Sequence, residues 1–384
     1  MKKVLSLLLS AYMILSLSGC GNVQNTVKNN APQTAIETQK SAKPTNSNAE
    51  KSQATPGSDL TVHYIDVGQG DSEFIELPNG ETMLIDAGNS QNAADIISYI
   101  QNKGYSKIDY IVATHPHADH IGGMTDILGS FTIGKMYMPK KQHNTKAFEG
   151  LLDVIEQNSI GLYTAKAGTS ILATDDLNIS ILSPISDSYS DLNDYSAVVK
   201  ITYKGTSFLF MGDAESVVEN ELLQEKSDIN ADVLKVGHHG SSYSSTVDFI
   251  KSVAPKYAVI SCGANNQYGH PHAETLVTLN SFNINTYRTD ESGTIIITSD
   301  SVKITVDKKA SAIKENAPPV VTHTEKPQTV TDNLNDDIIV YKTNYGKKYH
   351  NSGCQYLSKS KIPVSLQSAK SSGLTPCSKC SPPQ

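Results

Sequence analysis

The sequence predicts a layered α/β domain over residues 60–307, followed by a much smaller unit at residues 338–384. Short apolar, β-branched runs bounded by turn residues alternate with longer helical ones, the pattern of sheets covered by helices. Two segments, residues 20–59 and 308–337, break that pattern with polar, Pro-containing composition, and they cannot bury enough apolar surface to offset their chain entropy. Charge divides the chain in the same place. From Ile338 onward there are seven Lys and no Asp or Glu, so with a formal charge of −7 overall the preceding residues sum to −14.

Within the large domain, strands are expected near 60–67, 72–77, 81–86, 108–114, 178–182, 197–203, 206–211 and 232–236. Helices are expected near 91–103, 120–129, 145–157, 214–225 and 244–253. The run Ile108-Asp109-Tyr110-Ile111-Val112-Ala113 reads as a buried strand. It leads directly into His115-Pro116-His117-Ala118-Asp119-His120, which packs three imidazoles and a carboxylate into six residues.

A chain leaving a strand points residues i and i+2 the same way, so His115 and His117 share one position. Asp119 and His120 fall where a helix begins and face a second. Imidazole nitrogen with carboxylate oxygen suits zinc, manganese or iron better than calcium or magnesium. Further donors end later strands: Phe208-Leu209-Phe210-Met211 runs into Gly212-Asp213, and Val233-Leu234-Lys235-Val236 into Gly237-His238-His239-Gly240-Ser241. Asp86, in Leu84-Ile85-Asp86-Ala87-Gly88, is expected to orient the metal-binding loop rather than to ligate.

These words resemble the metallo-β-lactamase-fold hydrolases, and within them the extracytoplasmic hydrolase domain of ComEC-type DNA-uptake proteins. The resemblance rests on Asp66-Val67-Gly68-Gln69-Gly70-Asp71-Ser72, the HPHADHIGG run from His115 to Gly123, Met211-Gly212-Asp213, His238-His239-Gly240-Ser241 and Tyr268-Gly269-His270-Pro271. It implies a four-layer αββα sandwich of two mixed sheets with helices outside and a metal pair at its edge. His115, His117 and Asp213 are then expected on the first metal, and Asp119, His120, Asp213 and His238 on the second, with Asp213 bridging. Two divalent ions, zinc or manganese, activate water and polarise an ester in such a site.

Asp119 is expected to orient the nucleophile as well as to ligate. His239 and His270 are expected as hydrogen-bond donors or acids, and Gln69, Asn193, Ser196 and Ser241 as substrate contacts. Asp66 is expected to position the metal loop. The chain departs from the wider superfamily in one respect: no His lies between His143 and His238, where a third ligand of the first site is usual. The stretch Asp191-Leu192-Asn193-Asp194-Tyr195-Ser196 occupies that place, leaving Asn193, Asp194 or water to complete the site.

At the N-terminus, Met1-Lys2-Lys3, an apolar run from Val4 to Leu17 and Ser18-Gly19-Cys20 describe a secretory signal over residues 1–19. Leu17-Ser18-Gly19-Cys20 resembles a bacterial lipoprotein box, which implies lipidation of Cys20 and an extracytoplasmic, membrane-anchored protein. Residues 20–59 are expected to be a tether with a reach of roughly 35 Å.

In the small unit, His350-x3-Cys354 with Cys377-x2-Cys380 has the spacing of one structural zinc, and so short a segment needs a staple. A disulfide is the rival in an oxidising compartment. The unit is similar to the small metal-binding module of Ada-type DNA-repair proteins. Its seven Lys suit docking to nucleic acid or another phosphate polyanion, or serve solubility alone. The reading as a whole is a lipid-tethered metal-dependent phosphodiesterase acting on extracellular DNA, with no obligate protein partner. The alternatives are a hydrolase of a lactone, β-lactam or wall-polymer phosphodiester, and a non-catalytic DNA- or wall-binding lipoprotein.

Overall fold

The structure, a computed structural model, describes residues 59–312, 339–343, 346–357, 362–371 and 374–383. The signal segment, Cys20 and the tether as far as residue 58 lie outside the described residues, as does the linker from residue 313. Among the described residues no helix is long and apolar enough to cross a membrane.

Fifteen strands build the large domain. They are β1 (Leu60–Tyr64), β2 (Glu73–Glu76), β3 (Thr82–Ile85), β4 (Lys107–Val112), β5 (Thr132–Met138), β6 (Gly161–Thr164), β7 (Thr169–Ala173) and β8 (Leu177–Ser183). There follow β9 (Val198–Tyr203), β10 (Thr206–Phe210), β11 (Val233–Lys235), β12 (Tyr257–Ile260), β13 (Asn285–Arg288), β14 (Ile295–Ser299) and β15 (Ile304–Val306). They form two sheets, ordered β15-β14-β1-β2-β3-β4-β5-β6 and β13-β12-β11-β10-β9-β8-β7.

Alternation along the strands explains the layering. Met83 and Ile85 join Phe208 and Phe210 in a core between the sheets. Leu84 turns the other way, toward Ile96, Ile100, Ile127 and Leu151 on the outer helices. Leu209 and Met211 likewise turn toward Val218, Leu222, Phe249 and Ile250 on the far side. Three apolar layers between four structural layers is the αββα sandwich expected, because residues one apart on a strand face opposite sides.

Strand polarity places the site. Each sheet has an antiparallel half of hairpins and a half in which β3 to β6, or β10 to β13, run parallel. Parallel neighbours need crossovers. Helices α1 (Ala93–Asn102), α2 (Ala118–Ile121), α3 (Met124–Ser130) and α4 (Lys146–Gln157) lie in those of the first sheet. Helices α5 (Ser216–Gln224), α6 (Val247–Val253) and α7 (Ala273–Ser281) serve the second. The carboxyl ends of the parallel strands therefore open at one edge, the usual position of a site in such sheets.

Every expected strand and helix is present. The strands β5 to β7 and β12 to β15 and helix α7 were not anticipated. β12 (Tyr-Ala-Val-Ile) and β14 (Ile-Ile-Ile-Thr-Ser) carry the same apolar, β-branched signal as the expected strands, whereas β6 is exposed along its whole length and β13 (Asn-Thr-Tyr-Arg) is short and polar. Only the packing of neighbours makes strands of β6 and β13.

The small unit has its own four-stranded sheet, from β16 (Ile339–Lys342), β17 (Lys348–His350), β18 (Ile362–Ser365) and β19 (Thr375–Pro376), in the order β18-β16-β17-β19. Among the described residues its apolar clusters are small. Val340, Tyr349 and Ala369 make one, and Cys354, Leu357 and Cys377 the other.

Candidate metal centres

The loop after β4 is set by the residue after β3. Asp86 is fully buried, with a left-handed backbone (φ 55°). It accepts hydrogen bonds from Thr114 N at 2.8 Å and Thr114 Oγ1 at 2.6 Å, and its Oδ2 lies 2.7 Å from His120 Nδ1. With that nitrogen engaged, His120 presents Nε2 to the sheet edge, 3.2 Å from Asp213 Oδ2 and 4.0 Å from Asp119 Oδ2. Asp86 thus lies beneath the loop, not in the cleft.

His115 is oriented in the same way. Its Nδ1 lies 3.1 Å from Thr114 Oγ1 and 3.4 Å from Ser196 Oγ, leaving Nε2 2.9 Å from His117 Nδ1 and 3.7 Å from Asp213 Oδ2. Ser196 Oγ also accepts from Asp213 N at 3.0 Å, tying the two strand ends together.

The first tight turn reaches the same place. Gly70 has φ +144°, and a Cβ there would sit 2.4 Å from the Asp119 carbonyl oxygen, so only glycine admits the contact. Asp71 N donates to that carbonyl at 3.2 Å. Asp66, expected to position the metal loop, instead accepts from Gly68 N at 3.0 Å and closes its own exposed turn. Asp71 performs the positioning.

The geometry departs from the division expected between His238 and His239. Both have left-handed backbones, at φ 46° and 53°, an uncommon and costly conformation for non-glycine residues that collects at functional sites. His239 is 2% exposed. Its Nδ1 lies 3.0 Å from Ser261 O and 3.2 Å from Asp71 Oδ1, and its Nε2 is 3.4 Å from both Asp119 Oδ2 and Asp213 Oδ1. His238 lies further out, with Nε2 3.9 Å from Asp213 Oδ2 and Nδ1 3.0 Å from Glu215 Oε1. Donor groups able to hold one ion are His115, His120 and Asp213, and separately Asp119, His120 and His239. Asp71, Asp213 and His239 make a third such group, and Asp71, Asp86 and His120 a fourth.

These residues fit cations on a direct observation. His120 Nε2, His239 Nε2 and Asp213 Oδ1 are buried with no hydrogen-bond partner, though they face one another. Buried polar atoms are rarely left so. Asn193 Oδ1 is a fourth such atom. It lines the same cleft, while Asn193 Nδ2 donates to Glu215 Oε1 at 3.1 Å. Asp194 accepts from Glu215 N at 3.3 Å and joins no donor group.

Electrostatics reinforce the arrangement. Burial alone would raise the Asp213 carboxyl, but the charges of His120, His239 and His238 outweigh it and hold the group well below the usual range. Asp119 is brought to about 2, burial being offset by His120 and His239. Burial pushes His115 well down, with His120 adding to the effect.

Behind His239 lies an ion pair that periodicity concealed. Lys235 Nζ donates to Asp71 Oδ2 at 2.8 Å, and both side chains are 1% exposed. Burial opposes the charge on each; the partner outweighs it, lowering Asp71 and raising Lys235. Lys235 interrupts an otherwise apolar strand, a signal in itself, because a lysine there must be paired.

The cleft at this edge has a volume of about 220 Å³ and is lined in part by Gln69, His117, Asp119, His238, Tyr268 and His270. Ser196 and Ser241 are fully buried and do not reach it. Ser241 Oγ accepts from Tyr243 N at 3.3 Å, so the expected substrate contact is a loop brace. His270 is brought down to about 4 by burial and by the charges of His238 and His239, so its imidazole is neutral near pH 7. Tyr268 and Glu215 received no role from the sequence.

In the small unit, one donor atom from each of His350, Cys354, Cys377 and Cys380 lies within 4.8 Å of the others, and all three thiols are free. Asn351 N donates to Cys380 Sγ at 3.4 Å. Burial would raise the Cys377 thiol, but the backbone N–H groups of Lys379 and Cys380 outweigh it and lower it. Three sulfurs and an imidazole held so closely form a cluster fit to hold a metal, with the donor set of structural zinc.

Residues 65–264 match the family model described as "Metallo-beta-lactamase superfamily". The chain is 33% identical over 251 residues to "ComE operon protein 3" of Bacillus subtilis (strain 168), covering 61% of this chain and 32% of that one. It is 28% identical over 245 residues to "Competence protein ComA" of Neisseria gonorrhoeae, covering 63% and 33%. It thus spans about a third of the length of these curated relatives. A solved metallo-beta-lactamase fold protein, YhfI from Bacillus subtilis, overlays with a TM-score of 0.43 at 11% identity, covering 63% of this chain and 100% of that one. From the loop at His115 to the strand end at Asp213, with the family match spanning both, the chain belongs to the metallo-beta-lactamase superfamily.

Proposed function

We propose that this chain is a metal-dependent phosphodiesterase acting on nucleic acid outside the cytoplasm, held at the membrane by a lipid on Cys20. One observation carries the reading: ring nitrogens and a carboxylate oxygen from three separate strand ends face one another, buried and unpartnered. The name of one relative, "Competence protein ComA", supports DNA as the polymer.

In this scheme His115, His117, Asp213 and the unpartnered Asn193 Oδ1 would hold a first divalent ion, and Asp119, His120, Asp213 and His239 would hold a second. Zinc or manganese suits these donors. Two such ions lower the pKa of water and offset charge on a phosphoryl group. The protein's own groups do the rest. Asp86 and the Ser261 carbonyl fix the tautomers of His120 and His239 by engaging each Nδ1. Asp119, ionised, turns an oxygen toward the cleft to receive a proton from the attacking water. His270 donates a hydrogen bond to a phosphate oxygen, and His238 borders the first position and does the same. Gln69 narrows the mouth. In the small unit we assign a structural zinc to His350, Cys354, Cys377 and Cys380. Its exposed Lys347, Lys348, Lys370 and Lys379 suit contact with the phosphate backbone.

The test incubates the protein with single-stranded DNA, double-stranded DNA and bis-nitrophenyl phosphate, with zinc or manganese supplied. DNA cleavage that requires the metal and disappears in Asp119→Ala supports the proposal. Turnover of nitrocefin with no cutting of nucleic acid would overturn it.

A further inference from the structure

Tyr268 stands at the rim of the metal cleft and is 55% exposed, whereas the aromatic rings that build the core are almost wholly buried. Its position is nevertheless fixed. Asn266 Oδ1 accepts from Tyr268 N at 3.1 Å and His270 N at 3.0 Å, while Asn266 Nδ2 donates to Gly263 O at 2.8 Å and His270 O at 2.5 Å. His272 Nδ1 accepts from Ser242 N at 2.9 Å, so its Nε2–H donates to Tyr268 O at 3.2 Å. Two side chains therefore hold the backbone around a ring that contributes little to burial.

The ring lies nearly parallel to that of His270, with centroids 5.6 Å apart and an interplanar angle of 23°. His270 in turn lies 5.3 Å from His238 and 6.1 Å from His239. A flat, open aromatic face thus stands one imidazole away from the groups that would hold the ions. In a nucleotide the base is separated from its phosphate by one sugar, the same order of components. An immobilised aromatic face presented to solvent is how proteins hold single-stranded bases with little regard to sequence.

We propose that Tyr268 is a specificity-determining residue that stacks the nucleobase next to the scissile phosphate, so that the substrate is a single-stranded or locally opened strand. This rests on the phosphodiesterase reading. The chain contains no Trp, so Tyr268→Trp in the full chain installs a unique fluorophore at the platform. Titration with a single-stranded oligonucleotide is expected to quench it, and an abasic oligonucleotide of the same length is expected not to. In steady-state assays Tyr268→Ala should raise KM for the ordinary oligonucleotide by about 5- to 150-fold, the range of one stacked base. Its kcat should stay within about twofold, Tyr268→Phe should restore KM, and the abasic substrate should be insensitive to both changes.

Equal quenching by both oligonucleotides, or equal loss on both substrates, would overturn the proposal, as would an unchanged KM. Base-dependent quenching without any DNA cleavage would uphold the platform and sink the phosphodiesterase reading instead. Cleavage without base-dependent quenching would do the reverse.

Discussion

Removing the charge of Lys235 is expected to destabilise the large domain more than any change on its surface. Lys235 Nζ donates to Asp71 Oδ2 at 2.8 Å and to Val236 O at 3.1 Å, and neither charged side chain is more than 1% exposed. Lys235→Met keeps the apolar stem but leaves the Asp71 carboxylate buried, with His239 Nδ1 at 3.2 Å as its remaining partner. Breaking a buried pair on one side costs about 3–5 kcal/mol, mostly the penalty of the stranded charge. For a domain of this size that is a fall of about 10 °C in Tm. Asp71→Asn removes the other charge and should cost a similar amount, whereas Lys235→Met with Asp71→Asn should cost about 2–3 kcal/mol less than the sum. Urea melts at pH 7, with chelator in every sample, measure all four corners of the cycle. A single substitution costing under about 1 kcal/mol, or strict additivity, would refute the argument.

The remaining predictions concern regions away from the cleft. Glu76 Oε1 lies 2.8 Å from His63 Nε2, and Glu76 Oε2 accepts from Tyr105 OH at 2.8 Å; burial would raise its carboxyl, but these contacts hold it at about 2. A carboxyl lowered in the folded state adds stability that is complete above its unfolded value, near 4.5, and is lost as pH falls through about 2. Glu76→Gln should therefore cost about 1–3 kcal/mol in a urea melt at pH 7, and the difference should vanish as pH approaches 2. In the small unit, chelator alone should open the Lys-rich segment to trypsin, because metal binding and folding are linked there. Protection that survives chelator but fails with reductant would show that disulfides hold it.

Much of the fold was legible in the chain, for reasons specific to particular segments. The strands from Leu60 to Ile85 and from Val198 to Phe210 alternate so that one face meets the opposing sheet and the other the helices, and that period survives in the sequence. The edge strand at Gly161–Thr164 is exposed on both faces and carries no period to read. The donor-rich words at His115–His120, Asp213 and His238–His239 announced a site, because such residues seldom follow apolar strands without a task. Which of two adjacent histidines turns inward was not legible. That choice depends on backbone angles near φ 50° at both and on Ser261 O and Asp71, which come from other loops. The serines at 196 and 241 read as substrate contacts for want of any view of burial, and both brace the backbone instead. Tyr268 had no signal beyond its place in the Tyr-Gly-His-Pro word, since exposure is a property of the folded chain.

Side chains from distant strand ends are expected to share two ions. Metal content of the purified, zinc-reconstituted protein, measured by elemental analysis after desalting, addresses this directly. Three equivalents per chain are predicted, falling to one in Asp213→Ala, where only the cysteine cluster should retain its ion. A single equivalent in both proteins would contradict it.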